Sequence, residues 1–357
     1  MRPSQFVRGS LWALAASVAF GVTIPAIALV RATTGTWSTA AALYAGAALF
    51  AATIVGSPQA ALTTLRRHGA RYAAIALLGG ALAPAAFIAG LRLAGPLGSS
   101  LALNAEILFS IAFAAVVFRE HVSAALIRAA AAILAGALLL VVTSERGVGS
   151  TFGIGLVVVA TALWAADNVI SASLGGADPR TTVLWKAAFG ALLSAVVAII
   201  LREPIPAFGP ALGLLVVGAI GYGASLWSYL IAQRTFGVAR AASIFAVAPF
   251  VGALVSIGLH PVVPRVTTIV AGALMLLGVA LHVSERHAHR HRHMPIEHEH
   301  VHRHDDGHHE HQTHEPIDGD HAHAHRQDDV DHEHAHAPDV HHRHDHDCEP
   351  RSVAERP

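Results

Sequence analysis

The stretch Leu97 to Ser123, LGSSLALNAEILFSIAFAAVVFREHVS, decides how the rest of the chain is interpreted. It consists mainly of apolar and small residues, and about 20 such residues in succession are enough for one membrane crossing. Glu106 lies near the middle of the stretch. A carboxylate at that depth costs about 2.5 to 3.5 kcal/mol to insert unless it faces a cavity or a partner. The stretch therefore predicts a transmembrane helix that carries a functional acid.

Acidic residues and histidines are concentrated at the C-terminal end of the chain. Eighteen of the 24 acidic residues and 22 of the 26 histidines lie at or after Glu285, whereas Ala, Leu, Val, Ile and Gly dominate upstream. This distribution predicts a membrane domain followed by a polar tail. The single cysteine, Cys348, excludes an intramolecular disulfide framework. We find no dinucleotide, phosphate-loop or zinc-protease motif, so we predict neither an enzyme nor a nucleic-acid partner.

Ten apolar segments follow one another, separated by short links rich in Gly, Pro and Arg. They lie near Ser10 to Val30, Thr39 to Val55, Tyr72 to Leu91, Leu97 to Phe118, Ser123 to Val142, Thr151 to Leu174, Thr181 to Leu201, Ala211 to Ala232, Val238 to Leu259 and Pro264 to Val283. With the N-terminus in the cytoplasm, eleven Lys and Arg residues fall on the inner side and five on the outer side. This bias predicts a plasma-membrane protein with both termini in the cytoplasm.

The two halves of the membrane domain share short motifs. Arg92-Leu-Ala-Gly95 before the fourth span corresponds to Arg234-Thr-Phe-Gly237 before the ninth, and Ala-Gly-Ala-Leu occurs in the fifth and tenth spans. Five spans is an odd number, so a second repeat (147–284) must be inverted relative to the first (1–146). The halves therefore predict a site between them, near the bilayer midplane.

Three further motifs carry a family resemblance. They are Asn104-x-Glu106, Phe118-Arg119-Glu120-His121 and Trp164-Ala-Ala-Asp167-Asn168. In their order and spacing they resemble the EamA-like branch of the drug/metabolite transporter superfamily, over essentially the whole chain, and the His-x-His tail is similar to a subgroup of that branch. The resemblance implies an all-α polytopic membrane protein with ten transmembrane helices arranged as two inverted five-helix repeats. Leu259-His260-Pro261 departs from the Gly-Glu-Pro that the family often has there.

A polar stripe is predicted on the fourth span. Helical spacing places Ser99, Glu106 and Ser110 on one face, with Glu120 nearly in line at the cytoplasmic end. Glu106 then either lines the pathway and exchanges a proton for substrate, or ties helices together through hydrogen bonds.

A second polar group is predicted in spans six and seven. Asp167 and Lys186 lie at similar depths, so adjacent antiparallel helices could pair them. Such a pair is either structural or a gate at which a substrate charge competes for one partner. The predicted substrate pathway consists of Glu106, Asn104, Ser110, Asp167, Asn168, Lys186 and Trp164.

Several other intramembrane residues have weaker signals. Pro25, Pro84 and Pro249 lie inside spans, where a proline can kink a helix and free a carbonyl group. Trp164, Trp227 and Tyr229 could stack on an organic substrate, although packing between helices or anchoring at the membrane interface is the commoner role of such rings.

The tail from residue 285 to 357 has few bulky apolar residues and is predicted to be disordered. Alternating imidazoles beside carboxylates suit Zn²⁺, Ni²⁺, Co²⁺ or Cu²⁺. The candidate metal ligands are His287, His289, His291, His293, His298, His300, His302, His304, His321, His323 and His325. The tail could deliver, buffer or sense a metal, act as a pH-dependent charge, or be a solvated extension that transport does not need.

These observations predict a secondary transporter of a small organic metabolite, proton-coupled and operating by alternating access, with no required cofactor. One alternative is an exporter of Ni²⁺, Co²⁺ or Zn²⁺ that uses the tail. A second is a membrane-anchored metal buffer or sensor that transports nothing. The predicted partners are the lipid bilayer and a small-molecule substrate, with metal ions and a homodimer left open.

Overall fold

The computed structural model describes residues 3–30, 34–117, 124–144, 150–174, 176–236, 238–259, 264–284, 287–293, 296–302, 321–327 and 330–336. Upstream of residue 285, the regular elements among these residues are all helical. The α-helices are α1 (Pro3–Val30), α2 (Thr36–Ile54), α3 (Pro58–Ile75), α4 (Ala83–Ala102), α5 (Ala105–Val117), α6 (Ala124–Ser144), α7 (Thr151–Ala172), α8 (Pro179–Ile200), α9 (Phe208–Gly218), α10 (Ser225–Phe236), α11 (Val238–Phe245), α12 (Ala248–Leu259) and α13 (Val266–Ser284). Two π-helical segments, π1 (Ala76–Leu82) and π2 (Ala219–Ala224), join α3 to α4 and α9 to α10.

Within the described residues, seven helical stretches are long and apolar enough to cross a membrane, and Ile127–Leu140 and Val266–Leu281 form shorter apolar helices. The helices follow from composition, since a bilayer leaves backbone groups no partner except those within the segment. The prediction of an all-α polytopic membrane domain is confirmed. The number of ten spans and their arrangement as repeats stay predictions.

Helix interruptions recur at matching places in the two halves of this domain. The segments π1 and π2 end at Leu82 and Ala224, which are 142 positions apart. A second kind of interruption separates α4 from α5 at Asn104 and α11 from α12 at Ala246, again 142 positions apart. Such interruptions free backbone groups from the regular helical pattern and often occur at functional sites.

Prolines accompany these interruptions. Pro84 lies in the first turn of α4, just after π1, and Pro249 lies in the first turn of α12 after the break. Pro25 lies inside α1, which continues as a helix from Pro3 to Val30. Gly95 has a φ of 74°, a conformation that favours glycine, and it divides α4 where the third predicted span ends and the fourth begins.

Helices of the first half of the domain pack mainly against helices of the second half. α2 packs against α8 and α6 against α13, while α4 and α5 pack on α7 as α10 and α12 pack on α1. Glycines permit close approach: a Cβ added to Gly136 of α6 would lie 2.7 Å from the carbonyl oxygen of Ala271, and one added to Gly278 of α13 would lie 2.7 Å from that of Ala129. Small residues at such crossings let apolar helices pack closely without a hydrophobic driving force.

Polar contacts mark the two ends of the helical domain. At one end, here called the Glu203 end, a carboxylate oxygen of Glu203 accepts a hydrogen bond of 2.8 Å from the backbone N–H of Ser38, at the start of α2. At the other, the Asp178 end, the side chain of Asp178 accepts a hydrogen bond of 2.9 Å from the backbone N–H of Arg180 at the start of α8. Trp185 Nε1 donates a 2.9 Å hydrogen bond to the carbonyl of Ala61 near that end.

The tail forms a separate unit. It contains β1 (His287–His293), β2 (Ile296–His302), β3 (His321–Gln327) and β4 (Val330–His336). β1 pairs with β4 and β2 with β3, both antiparallel, as two two-stranded sheets. The prediction of disorder for residues 285 to 357 stays a prediction. The alternation of histidine with other residues in these segments matches the two-residue period of a strand.

Candidate functional site

A buried ion pair lies at the centre of the candidate site. Lys186 of α8 donates a hydrogen bond from Nζ to Oδ2 of Asp167 in α7. The side chains are 7% and 1% exposed, so the two charges are largely removed from solvent. The pairing predicted from matched depths is present.

The segment π1 lies directly against this pair. A Cβ added to Gly79 would lie 2.8 Å from Oδ1 of Asp167, and one added to Gly80 would lie 3.1 Å from the carbonyl oxygen of Lys186. Only glycine leaves room for this approach. The two adjacent glycines therefore let a single segment contact both helices that carry the ion pair.

The carbonyl oxygen of Gly79 accepts two side-chain hydrogen bonds. Tyr44 donates one through its hydroxyl group, and Trp164 donates the other from Nε1 at 3.2 Å. The ring of Trp164 is 5.6 Å from that of Phe87 and 6.1 Å from that of Phe20, centre to centre. Trp164 is thus held on all sides by protein, which favours the packing role over stacking on a substrate.

Glu106 connects the broken fourth span to α7. Its Oε1 accepts a 2.9 Å hydrogen bond from Nδ2 of Asn168, the residue after Asp167. The Glu106 side chain is only half-buried and lies in the first turn of α5, where the helix dipole favours a negative charge. Asp167 and Lys186 are close enough for their charges to act on it.

The predicted polar stripe on the fourth span is not continuous. The chain leaves the helical path at Leu103 and Asn104, so a single helical face does not extend through the span. Ser99 is fully buried before the break, Ser110 is exposed after it, and Glu120 lies outside the described residues. The spacing argument assumed one uninterrupted helix.

Asn104 is itself part of the break. It is buried, and its Nδ2 donates a 3.0 Å hydrogen bond to the carbonyl of Leu101. This local bond satisfies a carbonyl group at the end of α4, as asparagine does at helix ends. Asn104 thus shapes the backbone from which Glu106 projects.

Two cavities lie on either side of this polar group along α7. A cleft of about 490 Å³ at the Glu203 end is lined by Thr36, Trp37, Leu82, Ala85, Ala86, Ala89, Val159, Leu163, Leu201 and Glu203. A cavity of about 20 Å³, roughly the space for one water molecule, is lined by Asn168, Ser171, Thr182, Lys186, Leu226, Tyr229, Leu230 and Gln233. α7 presents Leu163 to the cleft and Ser171 to the cavity, and Lys186 of the ion pair lies in the wall of the cavity.

Sequence reasoning missed several residues of this site. Tyr44, Thr182 and Gln233 contact it but carry no charge and match no motif. A signal existed for Tyr44, since it lies 142 positions before Lys186, the spacing that separates the interruptions of the two halves. At the same spacing, Pro25 corresponds to Asp167 and Ala248 corresponds to Glu106. Each of these two acids therefore has an uncharged counterpart in the other half.

Arg92 and Arg234, which also differ by 142 positions, make equivalent bonds. Arg92 donates to the carbonyl oxygen of Thr34, between α1 and α2, and Arg234 donates to that of Ala177, between α7 and α8. Each arginine therefore ties the end of its helix to the link between two others.

The metal ligands predicted in the tail fall in the strands, except His304, which lies outside the described residues. In the described part of the helical domain, no three His, Cys, Asp or Glu side chains lie close enough together to hold one metal ion.

Comparisons with known proteins agree with this architecture. Residues 151–284 match the sequence model of the EamA-like transporter family. No curated protein matches the chain, but sixteen chains of solved structures do. One of them, described only as "Crystal structure of protein", has a TM-score of 0.57 and 18% identity, and covers 80% of this chain and 99% of its own; at this identity the likeness shows the fold alone. The family resemblance carried by the sequence motifs is thus confirmed over α7 to α13, where the chain is similar to the EamA-like transporter family.

Proposed function

We propose that the protein is a proton-coupled secondary transporter of a small organic metabolite. The observation that carries the proposal is the half-buried Glu106, held by Asn168 beside the Asp167–Lys186 pair, with Asn168 and Lys186 in the wall of the 20 Å³ cavity. An intramembrane acid in such a position is a functional candidate by default.

The protein would consist of two inverted five-helix repeats, 1–146 and 147–284, and alternating access would arise from movement of one repeat relative to the other. Three features support this arrangement: the two π segments, the two broken helices and the two arginine–carbonyl bonds all recur at a spacing of 142 positions. In addition, helices of one half pack mainly against helices of the other half, as a pseudo-two-fold axis between the repeats requires. In repeats of this type, interrupted helices meet near the midplane and form the substrate site.

Glu106 would carry the coupled proton. When it is ionised, its charge is held by the α5 dipole and the Asn168 amide. When a proton binds the carboxylate, the negative charge is lost and the attraction to both weakens. Access to protons from one side and then the other would therefore change the contact between α5 and α7 in step with transport.

The Asp167–Lys186 pair would act as the neighbouring gate. It is neutral as a pair, so it can remain buried, but a charged substrate group that approaches from the small cavity meets Lys186 in its wall. Competition for Lys186 would loosen the pair and open the route from that side.

The same proposal covers location and orientation. The bias of eleven Lys and Arg residues against five supports a plasma-membrane location with both termini and the Asp178 end in the cytoplasm. The 490 Å³ cleft would then open toward the outer side, and the 20 Å³ cavity toward the inside.

The test uses proteoliposomes that contain a pH-sensitive dye and the full-length protein. A panel of amino acids, sugars and organic amines is added under an imposed pH gradient, and proton movement is measured for each compound. We expect at least one compound to move protons with the wild type and none to do so with Glu106→Gln. Glu203→Gln is the matched control, because it also neutralises one acid yet keeps an oxygen acceptor for Ser38. Undiminished proton-coupled flux in Glu106→Gln contradicts the proposal, as does a panel that is silent with the wild type.

The alternation of histidine in the tail keeps a second candidate in view, namely export of a divalent transition metal or membrane-anchored metal buffering. Deletion of the residues after Arg286 separates the two. Unchanged flux of the organic substrate supports the first function, and loss of metal tolerance in cells supports the second.

A further inference from the structure

Helix α3 consists of two parts that differ in character. His68 has a φ of −125° and a ψ of 24°, which are not helical values, and it separates residues 58–67 from residues 69–75. The second part carries Tyr72 and Ile75, both fully buried, and leads directly into π1. Most residues of the first part are exposed. The kink therefore divides a surface segment from a segment that enters the helical domain.

The first part of α3 lies at the Asp178 end of the domain and is held there from one side. Arg180 donates a 3.4 Å hydrogen bond from Nη1 to the carbonyl oxygen of Ile54, at the end of α2 just before α3. Ala61 is buried, and its carbonyl accepts the hydrogen bond from Trp185. Leu65 packs against a buried hydrophobic cluster. Tryptophan is enriched where membrane helices meet the headgroups, so this segment lies at the level of the membrane interface.

The other side of this segment carries positive charge. Arg66 and Arg67 are exposed, and Arg71 is exposed and donates a 3.2 Å hydrogen bond to a backbone carbonyl at the end of α7. No Asp or Glu occurs in α3. The carboxylate of Asp178 is already paired with Arg180 at 3.3 Å. Among the residues that the structure describes, neither Arg66 nor Arg67 forms an ion pair.

We propose that Leu62, Arg66 and Arg67 form a surface that binds the headgroup of an anionic phospholipid. Arginine presents a planar set of N–H donors that matches two oxygens of a phosphate group. Leu62 is 41% exposed and lies four positions before Arg66, so the two side chains share one face of the helix. An apolar side chain at this level can contact the acyl chains while the guanidinium groups reach the phosphate.

The apolar residue decides between a lipid and a soluble anion. A free phosphate compound would use the two arginines and leave Leu62 in water, whereas a phospholipid covers all three side chains. The positive choline group of a zwitterionic lipid would lie beside the arginines and weaken the contact. An anionic lipid has no such group, and its charge complements the surface.

The lipid surface and the candidate functional site belong to one continuous segment. The second part of α3 leads into π1, and Gly79 and Gly80 of π1 lie against the Asp167–Lys186 pair. A headgroup that holds the first part of α3 thereby limits the movement of π1 from one end. The inference stands whether or not the helical domain transports an organic metabolite.

The experiment compares the full-length wild type with two double variants. Arg66→Gln/Arg67→Gln removes both charges of the surface and keeps polar side chains that suit a helix. Arg202→Gln/Arg265→Gln is the matched control, because it removes two exposed arginines that lie outside α3. Each protein is titrated with phosphatidylglycerol in detergent, and bound lipid is counted by native mass spectrometry. Hydrogen exchange is measured in nanodiscs of phosphatidylcholine alone and of an equimolar mixture with phosphatidylglycerol.

We expect the wild type and the control to bind phosphatidylglycerol equally and to gain protection in residues 58–67 in the mixed nanodiscs. The Arg66→Gln/Arg67→Gln variant should bind the tightest lipid about tenfold more weakly and gain no protection. Equal binding in all three proteins overturns the inference, and so does a wild type whose exchange is the same in both kinds of nanodisc. Glycerol 3-phosphate is added to the phosphatidylcholine nanodiscs as a soluble anion. If it protects residues 58–67 as well as phosphatidylglycerol does, the surface binds soluble phosphates and the assignment to a lipid is wrong.

Discussion

Removing one partner of the Asp167–Lys186 pair should destabilise the helical domain far more than removing both. The side chains are 1% and 7% exposed, so either charge left alone would remain buried. Loss of one partner from a buried pair costs about 3 to 5 kcal/mol, because the other charge stays uncompensated. We expect Lys186→Met and Asp167→Asn each to fall in that range.

The double variant carries the stronger part of this prediction. Replacing both charges by neutral residues of similar size leaves no buried charge, and such replacements are often neutral or stabilising. The buried amide of the new side chain adds an unsatisfied polar group, which costs about 1 to 3 kcal/mol. If the single losses add to at least about 6 kcal/mol and the double loses about 2, the coupling energy of the pair is about 4 kcal/mol.

Unfolding of the four proteins is measured by denaturant titration in detergent micelles, followed by tryptophan fluorescence. The pH dependence gives a second, independent signature. Lys186→Met should lose less stability at pH 5.5 than at pH 8, because a proton can neutralise the unpaired Asp167. Single variants within about 0.5 kcal/mol of wild type, or a double variant whose loss equals the sum of the singles, would refute the reasoning.

Four further variants test the packing and the helix ends, each by the same unfolding measurement. Gly190→Ala places a Cβ 2.6 Å from a carbonyl oxygen of π1 and should destabilise by about 1 to 3 kcal/mol, whereas Gly155→Ala, which meets no atom within 4 Å, should be neutral or stabilising; similar losses in both would contradict the close approach. Glu203→Ala removes the acceptor for the Ser38 N–H at the start of α2 and should cost about 1 kcal/mol, and a loss below about 0.3 kcal/mol would mean that this cap contributes nothing. Arg202→Gly should stabilise by up to about 1 kcal/mol, because Arg202 has a φ of 52°, and a clear loss of stability would argue against backbone strain at that position.

Part of the candidate site was accessible from sequence. Asp167 and Lys186 are rare charges in apolar segments, and equal depth was enough to pair them. Glu106 was recognisable for the same reason. Its partner was harder to predict, because Asn168 is uncharged and lies 62 positions away along the chain.

The strands of the tail show the opposite case. Composition alone predicted disorder, since the segment cannot bury a core. The alternation of histidine was visible, but the partner of each strand was not, because β1 pairs with β4 although 36 residues lie between the end of β1 at His293 and the start of β4 at Val330. Alternation determines the period of a strand, and pairing depends on chain segments that lie far apart in sequence.

By itself, the sequence determined that the part of the chain before residue 285 is a multi-pass membrane domain built of helices, and that few of its apolar positions carry charge. The physical reason is local: in a bilayer a long apolar segment can satisfy its backbone only as a helix, and each charge inside it is costly wherever it packs. The tertiary structure alone decided where those helices are interrupted, which side chains meet Glu106 and Gly79, and how the cavities flank the ion pair. These outcomes depend on close approach between helices, which is set by the combined shapes of several segments and not by the composition of any one of them.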